Sequence, residues 1–166
     1  MKFRSTPSVL CAAFRSSSNG IGIERGFVTL CVALYSAFGP NANDDSIRTA
    51  ALTLLFTTTY LWVAYNRVIQ VDGRGLGWFS LFVALTVVPV ALGAFGSVRG
   101  GLDLWMAFNW AAWAVLWFMY FLLLALKRPI GRATGIATAA QGVLTGWLPG
   151  VLILQGLLGG AAPPAS

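Results

Sequence analysis

The sequence predicts an all-α integral membrane protein: a small helical-bundle protomer of about five or six transmembrane helices at roughly 20 residues per span. Three observations predict it. Of 166 residues, 57% are hydrophobic and 10% are charged, where an ordinary soluble domain has about 25% charged residues. Mean hydropathy is +0.75. Apolar runs recur at spanning length, and every charged residue falls in a tail, a loop or a helix end.

The elements follow in order. Residues 1–26 read as an irregular N-terminal segment. Its apolar run Val9–Phe14, between Lys2, Arg4 and Arg15, is too short to span and poor as a signal peptide. Ser16–Ser18 and Asn19-Gly20 read as a turn. Residues 27–161 read as the transmembrane domain and 162–166 as a C-terminal tail. Phe27–Gly39 is a short apolar helix that ends at Pro40, crossing only a thinned bilayer or with help from Ile21–Ile23. Ile47–Tyr65, Leu76–Val98, Leu102–Leu126 and Ala133–Ala161 are long enough to cross about 30 Å of hydrocarbon.

The basic excess, 11 Lys and Arg against 5 Asp and Glu, reads as topology and not as a nucleic-acid surface, because it forms no continuous patch. Arg15 and Arg25, Arg67 and Arg74, and Lys127, Arg128 and Arg132 load alternate loops. Arg48 and Arg99 stand alone in the others. The positive-inside rule puts the first set in the cytoplasm and the C-terminus outside. The expected location is the inner (plasma) membrane of a bacterium, in contact with lipid.

What is missing from the spans narrows the function. Arg48 and Asp103 stand at helix ends, no charged residue lies in the interior of a span, and the chain has no histidine. Proton-coupled transport, hydrolysis and voltage sensing each need groups that are not there. No metal or cofactor is expected. Cys31 lies in an apolar run as a small packing residue, and Cys11 and Cys31 form no disulfide or zinc pattern. A path for a small neutral polar solute needs only a narrow slot with a few hydrogen-bonding groups.

Candidates for such a slot are present. Trp110, Trp113 and Trp117 share one helical face, which Tyr120 continues; Trp105 near the span end suits an interfacial belt. Trp113 is near mid-span, where its indole N–H needs an acceptor, so the stripe either packs on protein or lines a cavity. Thr57, Thr58, Thr59, Tyr60, Thr86, Gln141 and Thr145 are the other mid-span polar groups. A threonine usually bonds back to its own helix, whereas the Gln141 amide has several donors and acceptors to satisfy. Gly142, Gly146 and Gly150 form a small-residue seam suited to helix contact within or between protomers, and Gly96 and Gly100 a weaker one. Pro89 and Pro149 are expected to kink their helices and free backbone carbonyls.

From Thr59 to Pro149 the chain resembles the amide/urea channel family called AmiS/UreI. The resemblance rests on Thr59-Tyr60-Leu61 with Asn66, on Trp78 to Ala84 with Pro89, on Trp110, Trp113 and Trp117, and on Gln141 to Pro149, in that order. Asn19-Gly20 is similar to the end of the family's first helix. The resemblance implies a six-helix channel protomer in a homo-hexameric ring, with passive conduction of urea or short aliphatic amides to a cytoplasmic urease or amidase. It implies a pore slot of Tyr60, Trp110, Trp113 and Trp117; Gln141 and Thr145 are expected to join it as mid-span polar groups of the last helix. The chain departs from the family in three ways. Its first helix is largely absent and its second short, as a misassigned start codon or a degenerate copy would produce. Gln141 stands where the family pattern has Glu. The histidines tied to acid gating in some members are absent. The competing expectation is a non-conducting scaffold in which the Trp and Gly rows only pack helices. An enzyme is not expected.

Overall fold

In the computed structural model the described residues are Glu24 and 26–156; the expectations for residues 1–23, for Arg25 and for 157–166 lie outside them. The described residues are helical and include no strand. Five helices follow in order: α1 (Gly26–Phe38), α2 (Asp44–Ile69), α3 (Arg74–Gly96), α4 (Gly101–Leu124) and α5 (Gly131–Leu154). The last four are long and apolar enough to span a membrane, and α1 is a shorter apolar helix. The protein is therefore an all-α integral membrane protein. Contacts divide it into two compact units at Leu76/Gly77, in the first turn of α3.

In the first unit, α1 stops at Gly39, whose N–H donates to the Tyr35 carbonyl at 2.8 Å, just before Pro40 removes a donor. Asn43 then caps α2. Its Oδ1 accepts from the Ser46 N–H and the Ser46 Oγ accepts from the Asn43 N–H, both at 2.9 Å. This reciprocal box satisfies two otherwise unpaired donors. Asp44 and Asp45 in the first turn and Arg67 in the last complement the helix dipole. At the far end Gln70 adopts a left-handed conformation (φ 54°) and closes the helix. A Cβ on Gly26 would lie 2.6 Å from Leu61 Cδ2, so α1 and α2 meet closely there because residue 26 has no side chain.

In the second unit, Ser80, Val83, Ala84, Val87 and Ala91 form the buried face of α3. Their three- and four-residue spacing is that of one helical stripe. On α4 the buried residues are Ala107, Ala114, Leu116, Trp117 and Phe121. Trp78 packs on Phe121 (ring centroids 5.1 Å apart), and Phe95 meets Phe108 edge-on at 5.2 Å. These two pairs run in opposite senses along the helices, so α3 and α4 are antiparallel. Phe82, Leu85, Val88 and Leu92 on α3 are exposed, as a lipid-facing surface requires. The helix continues through Pro89.

The strain expected at Pro149 takes a particular form. Residues Gly142–Trp147 wind as a π turn between α-helical Gly131–Gln141 and Leu148–Leu154. Proline has no N–H and its ring crowds the carbonyl four residues back. A wider turn relieves that crowding, and Gly142 and Gly146 within it carry no Cβ to resist. The α5 helix ends at Leu154, followed by Gly156 in the left-handed region (φ 68°), earlier than the Ala161 expected from hydropathy. Hydropathy registers apolar composition and is blind to the backbone stop that glycine allows.

Candidate functional site

The mid-span polar residues separate into those satisfied by their own helix and those that are not. Thr59 donates to the Leu55 carbonyl at 2.8 Å, Thr86 to Phe82 at 2.9 Å and Thr145 to Gln141 at 2.7 Å. These are the back-bonds that threonine makes in apolar helices. Thr57 goes further. It is 2% exposed, and its Oγ1 contacts Thr29 Oγ1 on α1 at 2.9 Å as well as the Thr53 carbonyl at 3.1 Å. Tyr60 is half-buried on α2, in the first unit.

Trp110, Trp113 and Trp117 lie on α4. Trp117 is buried (3% exposed), whereas Trp110 and Trp113 are half-buried. The rings of Trp113 and Trp117 touch, with centroids 5.5 Å apart and planes inclined at 44°. The face continues to Tyr120, whose hydroxyl is 2.9 Å from Thr138 Oγ1 on α5. The Thr138 proton goes to the Thr134 carbonyl at 2.7 Å, so Tyr120 is the donor of the pair. This bond ties α4 to α5, which also pack closely over Gly131–Gln141. Leu123 lies against Gly131 nearer the connecting loop, so the two helices are antiparallel.

That tie sets a register. Each residue advances about 1.5 Å along a helix. Three residues back along α4 and three forward along α5 bring Trp117 level with Gln141. The α4 face of Trp113, Trp117 and Tyr120 thus meets α5 at Tyr120–Thr138, where the neutral polar row Thr134, Thr138 and Gln141 runs. Thr134, Thr138 and Gln141 recur at four- and three-residue spacing, so they share one face of the α-helical part of α5.

Gln141 is the unsatisfied member of this seam. Its side-chain Oε1 is buried with no hydrogen-bond partner, the only such side-chain atom among the described residues. A buried acceptor left without a donor costs about 1–3 kcal/mol.

Of the six residues singled out from sequence, the structure brings Trp113 and Trp117 into ring contact and stacks Thr145 over the Gln141 backbone. Trp110 is further towards the start of α4, and Tyr60 belongs to the other unit. Thr138 and Thr134 were missed. Their signal was present as the repeat that leads to Gln141 and Thr145, but a threonine in an apolar helix is ordinarily satisfied locally.

The architecture and this seam define a polytopic helical membrane protein with an uncharged, aromatic-walled polar row. Residues 10–157 match the model of the AmiS/UreI family transporter, and the chain belongs to that family. It is 48% identical to a Mycolicibacterium smegmatis protein named as a transporter of amidate substrates, over 70% of this chain and 54% of that protein. It is 37% identical to the acid-activated urea channel of Helicobacter pylori strain J99, over 74% of this chain and 73% of that one. The chain thus spans about half the length of the first relative (54%) and about three quarters of the second (73%). The crystal structure of the Helicobacter pylori urea channel superposes with a TM-score of 0.65 and 34% identity, covering 86% of this chain and 81% of that one. The same channel in its closed state, seen by cryo-electron microscopy, gives 0.64 and 35%, covering 85% and 80%. These relatives are transporters or channels by name, and none is named as an enzyme.

Proposed function

We propose that this protein is a passive channel for urea or short aliphatic amides, placed in a bacterial inner membrane and feeding a cytoplasmic urease or amidase. The observation that carries the reading is the α4–α5 seam, where a row of aromatic rings runs beside a row of uncharged hydrogen-bonding groups. A flat neutral amide can slide its faces along the rings and exchange hydrogen bonds at its edges. The names of the relatives support the same solute class. Trp110, Trp113, Trp117, Gln141 and Thr145 are the proposed contacts of the path, with Tyr60 a further candidate on its own helix. The channel domain is taken as residues 27–161, between an irregular 1–26 and a tail at 162–166.

The basic loops at Arg67–Arg74 and Lys127–Arg132 are cytoplasmic in this reading and the C-terminus is outside. The assembly is a homo-hexamer, each protomer with its own path. Stopped-flow uptake into proteoliposomes tests the function. Urea and acetamide should equilibrate faster than in protein-free vesicles. Flux no faster than in those vesicles, from a protein that is folded and assembled, would leave a non-conducting membrane protein and reject the channel.

A further inference from the structure

We propose that the α4–α5 loop binds the headgroup of an anionic phospholipid, its phosphate held by Lys127, Arg128 and Arg132 and its glycerol end set against Trp78. This role is independent of what the protein conducts.

Charge in the second unit is lopsided along its helices. From Gly77 onward the only acid is Asp103, and the basic residues are Arg99, Lys127, Arg128 and Arg132. Arg99 and Asp103 stand at the start of α4, and the other three at its far end. Between Asp103 and Lys127 the helix rises about 36 Å at 1.5 Å per residue, several times the screening length in physiological salt. The acid therefore does not neutralise the loop. The first turn of α5 holds no acid either. Lys127, Arg128 and Arg132 are all exposed.

The loop presents these charges in a fixed shape. Lys127 takes a left-handed conformation (φ 53°), and the Arg128 N–H donates to the Leu122 carbonyl at 2.9 Å. This closure satisfies the last carbonyls of a helix. Glycine fills the left-handed position at less cost; lysine brings a charge there instead. Pro129 fixes the next φ, and the Ile130 N–H returns to the Arg128 carbonyl at 2.8 Å. Arg132 follows in the first turn of α5.

An amphipathic ring marks the level of the headgroups. Trp78 packs on Phe121 and is still 57% exposed. Phe121 precedes Lys127 by about 9 Å of helical rise. Tryptophan is enriched at such a level, where hydrocarbon gives way to polar headgroups. Phe82 lies one turn deeper on the same stripe of α3 and is equally exposed. Phosphate at the loop, ester groups at Trp78 and an acyl chain along Phe82 follow one another in the order in which a phospholipid carries them. An anionic headgroup suits three cations, whereas a zwitterionic one adds an ammonium that they repel. An acidic protein surface would meet the charges but not rings at hydrocarbon depth.

Native mass spectrometry of the detergent-solubilised assembly tests this with phosphatidylglycerol and phosphatidylcholine of identical acyl chains. Wild type should bind phosphatidylglycerol roughly tenfold more tightly, or better. Arg128→Gln and Arg132→Gln should each lower that preference about fivefold, the effect of one basic side chain near an anionic surface. Lys127→Gly should do the same and suits the left-handed backbone, so it serves if the arginine variants do not assemble. Arg99→Gln removes an equal charge from the other end of α4 and should leave the preference within about twofold of wild type. Equal affinity of wild type for the two lipids overturns the inference. So does an Arg99→Gln effect as large as those in the loop, which would mean attraction to net charge alone. Displacement of phosphatidylglycerol by millimolar glycerol phosphate would assign the loop to a free anion and overturn the lipid as its ligand.

Discussion

A hydroxyl in hydrocarbon must find an acceptor, and most of the mid-span threonines find one a single turn away. Thr59 is satisfied within α2 alone, while Thr57 also reaches Thr29 on another helix. Removing the two hydroxyls should therefore have unequal effects. Thr57→Val should lower stability by about 1 kcal/mol, since it deletes a buried interhelical bond. Thr59→Val should stay within about 0.5 kcal/mol of wild type, since only a local bond goes. Thermal unfolding in detergent measures both. Equal shifts would mean that the Thr57–Thr29 contact adds nothing. Trp113 invites a different measurement, because it is half-buried and in ring contact with buried Trp117. Trp113→Ala should change the ratio of urea to acetamide flux or stop flux altogether. A pure packing residue would lower the melting temperature and leave the ratios of the surviving protein untouched.

At the scale of the helix, glycine separates places of close approach from open surface. A Cβ on Gly77 would lie 2.5 Å from the Ala125 backbone nitrogen, while one on Gly93 would meet nothing within 4 Å. Gly77→Ala should cost about 1–3 kcal/mol, because backbone has to move. Gly93→Ala should be neutral or stabilising by up to about 1 kcal/mol, since alanine is the better helix former. A neutral Gly77→Ala would mean that α3 and the end of α4 are not so close. The glycines expected to form a seam on α5 tell a related story. Gly142, Gly146 and Gly150 would each meet nothing if given a Cβ. Among the described residues, then, nothing packs against the seam, and under the proposed hexamer its role is contact between protomers. Gly146→Leu should then reduce the mass of the detergent-solubilised assembly while leaving the helical content unchanged. An assembly of unaltered mass would assign the seam to lipid.

At the scale of the whole molecule, charge and its absence set the expected behaviour in the membrane. The chain contains no histidine, the one side chain that ordinarily titrates between pH 5 and 8. Urea flux should accordingly change less than about twofold between pH 5 and 7.5, there being no histidine to protonate in that window. Strong acid activation in proteoliposomes would show that another group gates the path. This expectation differs from the name of the Helicobacter pylori relative, an acid-activated channel. Orientation is tested separately. A cysteine placed at Arg128 should be protected from an impermeant thiol reagent in intact cells, and labelling from outside would invert the proposed topology.

Much of the fold was legible before any coordinates. Hydropathy located α2 to α5, and Pro40 marked the end of α1, because burial in lipid and a proline stop are decided by residues close together in the chain. The shared face of Trp113, Trp117 and Tyr120 was readable for the same reason, since helical periodicity is local. What the sequence could not determine is which level of α4 stands beside which level of α5. One bond, Tyr120 to Thr138, settles that register across a loop. It also leaves Gln141 Oε1 buried without a donor. Whether a polar atom is satisfied depends on what other helices bring to it through space. Neither composition nor spacing along one helix contains that information.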